Sequence, residues 1–257
     1  MIHLLNHKQQ NIFFDYLDDN SDFYPELFKL VHASDKKFVL SPYFMGGVET
    51  SLVEKLDIYV KGFVSFQPFY DFWNFMINDP HLIFKGINFF LDDIGSHNID
   101  FLQQQVVDHF DPLYRASCCF LLNKVTKMGT ITYGNLDKSF SRLTMSKLDM
   151  VKEFEYNKRF SVEMLNWDLV SKNESNRSVL MVLPHEIRRG LVDTGNNSAE
   201  KNILNFRKIR HYSSRSDNKI IMASTVTPGT AEYLKNKFDT MILNESKNGV
   251  RIIAHNV

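Results

Sequence analysis

Between Lys36 and Leu56 the chain reads KKFVLSPYFMGGVETSLVEKL. Phe38, Val39 and Leu40 form an apolar run too short for a helix, Gly46-Gly47 breaks the chain, and Val48, Leu52, Val53 and Leu56 then recur at helical spacing. The stretch predicts a strand, a glycine turn and a helix. In an α/β sheet such a turn sits at the carboxyl end of a strand, where glycine lets backbone approach a small ligand closely.

The remaining chain extends the pattern on both sides. Ahead of it, Ile12, Phe13, Tyr16 and Leu17 mark one helix and Pro25 to Val31 a second. After it, Ile58 to Phe66 has the β-branched and aromatic content of a strand. From Pro68 the alternation stops. Phe69, Phe72, Trp73, Phe75 and Met76 crowd one helix, Asn78-Asp79-Pro80 ends it, and helices over Leu82 to Phe90, Ile99 to Phe110 and Leu113 to Leu122 follow without intervening strands. Val125 to Phe140 reads as a small hairpin with glycine turns. Alternation then resumes. Phe160 to Leu165, Ser178 to Leu183 and Lys219 to Ala223 read as strands, and Ala199 to Ile209 as an amphipathic helix. Thr227-Pro228 is a helix start, and Thr240 to Leu243 with Val250 to Ala254 form a terminal antiparallel hairpin. Seven strands are expected, in an α/β domain over 1–67 and 149–257, interrupted by a helical insert over 68–148.

Composition narrows the function. Thirty basic and thirty acidic side chains cancel, so no global field draws the chain to nucleic acid or anionic lipid, and either would need a local patch. Cys118 and Cys119 are adjacent and cannot staple distant segments, which suits a reducing compartment. The amino-terminal MIHLLNHKQQ lacks the apolar core of a signal peptide and no apolar run reaches spanning length, so a cytoplasmic protein without a membrane partner is expected. Twenty-two phenylalanines predict an aromatic-rich core. Asp108, His109 and Asp111 have metal-ligand residue types, but at a spacing that predicts no metal.

In order and spacing, several stretches resemble Dam-type DNA adenine methyltransferases, over essentially the whole chain. Asn6-His7-Lys8 stands where that family has a Gly-Asn-Lys turn against its cofactor, S-adenosylmethionine. Ser41-Pro42-Tyr43-Phe44-Met45-Gly46-Gly47 stands where the family reads acid-Pro-Phe-x-Gly-Gly. The ribose-binding acid after the second strand falls on Val64 or Ser65, and Asp168 occupies the acidic place after the third. The family's catalytic Asp-Pro-Pro-Tyr is here Leu183-Pro184-His185-Glu186, and leucine cannot accept the target amine's hydrogen bond. Phe120 to Phe140 echoes the DNA-reading hairpin through Asn123-Lys124, Gly129 and Gly134, with the base-reading arginine replaced near Thr132.

The resemblance implies a Rossmann-like methyltransferase fold, a seven-stranded and mostly parallel sheet with one reversed strand. It implies cofactor contacts, if any, from Asn6, Lys8, Gly46, Gly47 and Asp168. DNA contacts, if any, would come from Lys124, Lys127, Arg207, Lys208 and Arg210, the last three in the densest basic cluster. The expected protein is a pseudo-enzyme, without cofactor, serving as a binding, structural or regulatory module with a protein partner or as a homo-oligomer. Two alternatives stand beside it: a divergent active adenine methyltransferase that recruits His185 or Glu186, and a DNA-binding protein without catalysis. The Asn, Lys and Phe content is compatible with a phage gene, which would place the protein in host cytoplasm or with the virion.

Overall fold

The computed structural model describes residues 14, 23–42, 44, 46–93, 99–126, 129–136, 143–172, 177–182, 219–246 and 249–257. In chain order they form α1 (Tyr24–Ala33), β1 (Phe38–Ser41), α2 (Gly47–Leu56), β2 (Tyr59–Val64), α3 (Gln67–Asn78), α4 (Pro80–Asp93), α5 (Ile99–Asp108) and α6 (Pro112–Val125). Then come α7 (Met145–Lys152), β3 (Phe160–Met164), α8 (Trp167–Lys172), β4 (Ser178–Val182), β5 (Lys219–Val226), α9 (Pro228–Lys235), β6 (Asp239–Ser246) and β7 (Gly249–His255).

The helix starts follow from side-chain chemistry. Asp111 accepts from the Leu113 amide at 2.8 Å and Thr227 from the Thr230 amide at 3.3 Å, each just ahead of a proline that needs no donor partner. Thr144 caps α7 in the same way, through the Lys147 amide. Neither α7 nor α8 is expected from the hydrophobic pattern. Both are short, and their capping residues carry the signal that apolar spacing does not.

The seven strands form one sheet in the order β3-β2-β1-β4-β5-β7-β6. The first five of these pair in parallel and β7 runs antiparallel to both β5 and β6. The expected α/β class, the mostly parallel sheet and the terminal hairpin are therefore present. From β1 the chain builds outward to β2 and β3, then returns to β4 and builds the other way. With right-handed crossovers this reversal sends the early helices to one face and the late ones to the other. The core divides accordingly. Val39, Val60, Val179, Met181 and Ile221 pack with α1 to α7 on the first face, while Leu40, Phe63, Leu180, Val182 and Ile220 pack with Val170 of α8 and Leu234 of α9 on the second.

The run α3 to α7 replaces a single crossover helix between β2 and β3. Its aromatic residues join the main core rather than a separate one: Phe72 stacks on Phe120 at 5.7 Å, and both belong to the cluster that contains Val39 and Val60. Behind them Arg115 of α6 grips Asp71 of α3, Nε to Oδ2 at 2.7 Å. Within the hairpin expected over 125–140, the described residues form a loop closed by one antiparallel bridge, Thr126 to Leu136. Backbone pairing there yields to side chains, with Asn123 Nδ2 donating to the Gly129 carbonyl at 2.7 Å and Thr126 Oγ1 to that of Leu122 at 2.8 Å. The helix expected over Ala199 to Ile209 lies outside the described residues, as does the one at Ile12 to Leu17 apart from the buried Phe14. Among the described residues no helix is long and apolar enough to cross a membrane.

Cys118 and Cys119 are free thiols buried in α6. Burial pushes the Cys118 thiol up to about 12, and raises that of Cys119 well above its ordinary value. The thiolate is the reactive species, so both should resist alkylation by iodoacetamide near pH 8 in the folded protein and react fully in denaturant. Rapid labelling of the native chain, followed by mass spectrometry, would contradict this packing.

Candidate functional site

An open α/β sheet takes its ligand in the crevice outside the carboxyl ends of the two strands where chain direction reverses. Here those strands are β1 and β4. The β4 wall beyond Val182 lies outside the described residues, and with it Leu183, Pro184, His185 and Glu186. The β1 wall is described from Ser41 through Gly46, apart from Tyr43 and Met45.

Gly46 adopts φ +97°, a left-handed conformation that begins α2. Its amide donates to Oε2 of Glu49 at 3.2 Å, and Oε1 of the same carboxylate accepts from Ser41 Oγ at 2.8 Å. This is the N3 half of a capping box, with the carboxylate reaching back to the first amide of the helix. The amino end of a helix in such a crevice commonly receives an anion from a ligand. Glu49, 1% exposed, fills that place with acceptor oxygens from within. A carboxylate thus stands beside Ser41, where the resembled motif has its own acid, but it arrives from α2 and is enclosed.

The space that the glycine turn keeps free is also filled from within. A Cβ on Gly46 would lie 2.0 Å from Cζ2 of Trp73, the indole that α3 projects over the turn. Phe44, whose amide donates to the Phe63 carbonyl at 3.0 Å, lays its ring on Gly62 of β2, where a Cβ would come within 2.3 Å of it. The two rings meet edge to face with centroids 5.0 Å apart, and Trp73 continues onto Phe160 of β3 at 6.0 Å. Both Phe44 and Trp73 are 1% exposed. At Gly46 the close approach that glycine permits is made by tryptophan.

Val64, at the end of β2, is buried, and the first acid after it is Asp71, which is committed to Arg115 and to Gln67 Nε2 at 2.8 Å. Asp168 is exposed in the first turn of α8, its amide held by Asn166 Oδ1 at 2.9 Å. It follows β3, two strands and roughly 10 Å from β1. Lys124 is 0% exposed, with its ammonium 5.5 Å from the Phe120 centroid. Its expected role as a DNA contact is corrected to an interior one, since a core ammonium does not reach a phosphate outside. Among the described residues, the groove of about 560 Å³ beside the 126–136 loop is lined by Asp100 and Asp108 and by no lysine or arginine, a lining that repels phosphate.

His109 stacks on Tyr114 at 3.8 Å and accepts the Asp111 amide at 3.1 Å, while Asp111 caps α6. No cluster suited to a metal occurs among the described residues. Asn6, Lys8, Lys127, Arg207, Lys208 and Arg210 lie outside the described residues. Glu49 is the site residue that the sequence reading misses, although a carboxylate three residues after a glycine cap is a legible signal. Compared with known proteins, the chain matches no family model and no curated protein.

Proposed function

We propose that the chain is a methyltransferase-like scaffold without methyltransferase activity, which serves as a binding or regulatory module for a protein partner or a second copy of itself in the cytoplasm. One observation carries the reading: Trp73 and Phe44 occupy the glycine-lined space above β1 and β2, where a cofactor of the resembled family would lie. Three others support it. The reversed β7 slots between β5 and β6, in keeping with that family's sheet. The ribose-binding place holds Val64 or Ser65, and the catalytic motif reads Leu183-Pro184-His185-Glu186. A hydrogen bond to a charged group contributes about 1.5–3 kcal/mol, so losing two of them weakens cofactor binding by roughly 10²- to 10⁴-fold.

Titration calorimetry of the full chain with S-adenosylmethionine is expected to give no saturable heat up to about 1 mM ligand. Micromolar binding, or transfer of a labelled methyl group to adenine in duplex DNA, would overturn the proposal.

A further inference from the structure

At the opposite end of the strands from the crevice, the amino ends of β1, β2 and β3 frame a concavity of about 320 Å³. Its walls include Phe38, Leu40, Tyr59, Lys61, Lys158 and Arg159. Phe38 and Tyr59 are register partners, and side chains at one height on adjacent parallel strands stand only about 4.8 Å apart. Their rings therefore stack, with centroids 5.2 Å apart and planes at 24°. The next strand continues the row. The Val60 amide donates to the Arg159 carbonyl at 2.8 Å, which sets the Arg159 guanidinium carbon 5.8 Å from the Tyr59 centroid. Ring, ring and guanidinium make a ladder across three strands.

Such a ladder belongs in a core, yet Phe38 is 38% and Tyr59 46% exposed. Cations surround it. Lys158 is exposed beside Arg159, and Lys37 and Arg177 extend the same end of the sheet, where the amides of Lys37 and Phe38 both donate to the Arg177 carbonyl at 3.0 and 3.1 Å. Among the described residues, Glu163 pairs with Lys61 at 2.8 Å and Asp57 with Arg159. Asp57 is 76% exposed, so water screens its pair and a phosphate can compete for the guanidinium.

We propose that this ladder binds a nucleobase carrying phosphate, either as a free mononucleotide or as a residue of a single strand. A base is planar and stacks on aromatic faces regardless of its identity, while Lys158 and Arg159 lie within the same walls for the phosphate. The volume is that of a small-ligand site. With zero net charge over the chain, attraction of such a ligand has to come from a local patch, and this is one. The inference does not depend on the crevice or on the loss of activity proposed there.

The test is fluorescence anisotropy of the full chain with labelled single-stranded oligothymidylate of about ten nucleotides at low salt, with adenosine monophosphate as competitor. Saturable binding that weakens with salt is expected, and Tyr59→Ala and Lys158→Glu should each reduce affinity roughly 10-fold or more. Tyr59→Leu keeps apolar bulk without a ring and should lose the same affinity at an unchanged melting temperature. Displacement by the mononucleotide identifies a free nucleotide as the ligand, and failure to displace bound strand identifies the strand. Absence of saturable binding to either probe would overturn the proposal. So would binding that survives all three substitutions and disappears with Lys208→Glu.

Discussion

Gly46→Ala is expected to destabilise the fold by about 2–5 kcal/mol, summing a left-handed conformation imposed on a residue with a Cβ and an overpacked contact. The Cβ would be placed 2.0 Å from Cζ2 and 2.6 Å from Cη2 of Trp73. A ring held on several sides by Phe44, Phe72, Phe154 and Phe160 has little room to withdraw. In a chain of this size the melting temperature should fall by roughly 5–15 °C. Trp73→Ala alone should cost about 3–5 kcal/mol through lost burial and the cavity left behind. The double variant separates steric conflict from two independent losses. Alanine at 73 removes the atoms that alanine at 46 strikes, so the pair should cost about 1–3 kcal/mol less than the sum of the singles. Urea denaturation of all three variants measures this. A neutral Gly46→Ala would mean that the space above the turn is open, and the reading of the crevice as filled would fall with it.

The same residues show how much was legible from the chain. Phe38 to Leu40, Gly46-Gly47 and the helical spacing after them located β1, its turn and α2, because strand, breaker and amphipathic helix are local patterns. The terminal hairpin was legible for the same reason. The occupant of the glycine turn was not. Trp73 follows Gly46 by a helix, a strand and half of a second helix, and its position depends on the angle at which α3 meets the sheet, which no spacing rule encodes. Phe69, Phe72, Trp73 and Met76 mark an apolar face, but that face does not reveal which ring meets a glycine. Lys124 misled in the opposite direction. Lysine is ordinarily a surface residue, and only the packing of α6 among α3, α4 and α5 places this one inside. The ladder of Phe38, Tyr59 and Arg159 needed strand register, which becomes visible only when β1, β2 and β3 are laid side by side.

Asp71→Ala should be as damaging as loss of the Trp73 ring, costing about 3–5 kcal/mol, because it strands a cation that the fold has already taken out of water. Side-chain exposure is 5% for Asp71 and 12% for Arg115. The guanidinium has a second task. Its Nη1 donates to the carbonyls of His109 at 2.5 Å and Phe110 at 3.0 Å, which fixes the short link between α5 and α6. Arg115→Ala should therefore destabilise by a similar amount and also loosen that link, seen as faster amide exchange at residues 109–111. Replacing both partners with apolar residues of similar volume, Asp71→Leu with Arg115→Met, removes the charge and its orphan together. Most of the stability should return, since such exchanges are often neutral or better. The link's carbonyls would then turn to water, which reaches the Phe110 end, where the residue is 87% exposed. Chemical denaturation at constant m-value decides the matter. If the double variant were as unstable as the two singles summed, the pair would be no isolated clamp. The docking of α3 on α6, which carries Trp73 to the glycine turn, would then rest on apolar packing such as the stacked Phe72 and Phe120.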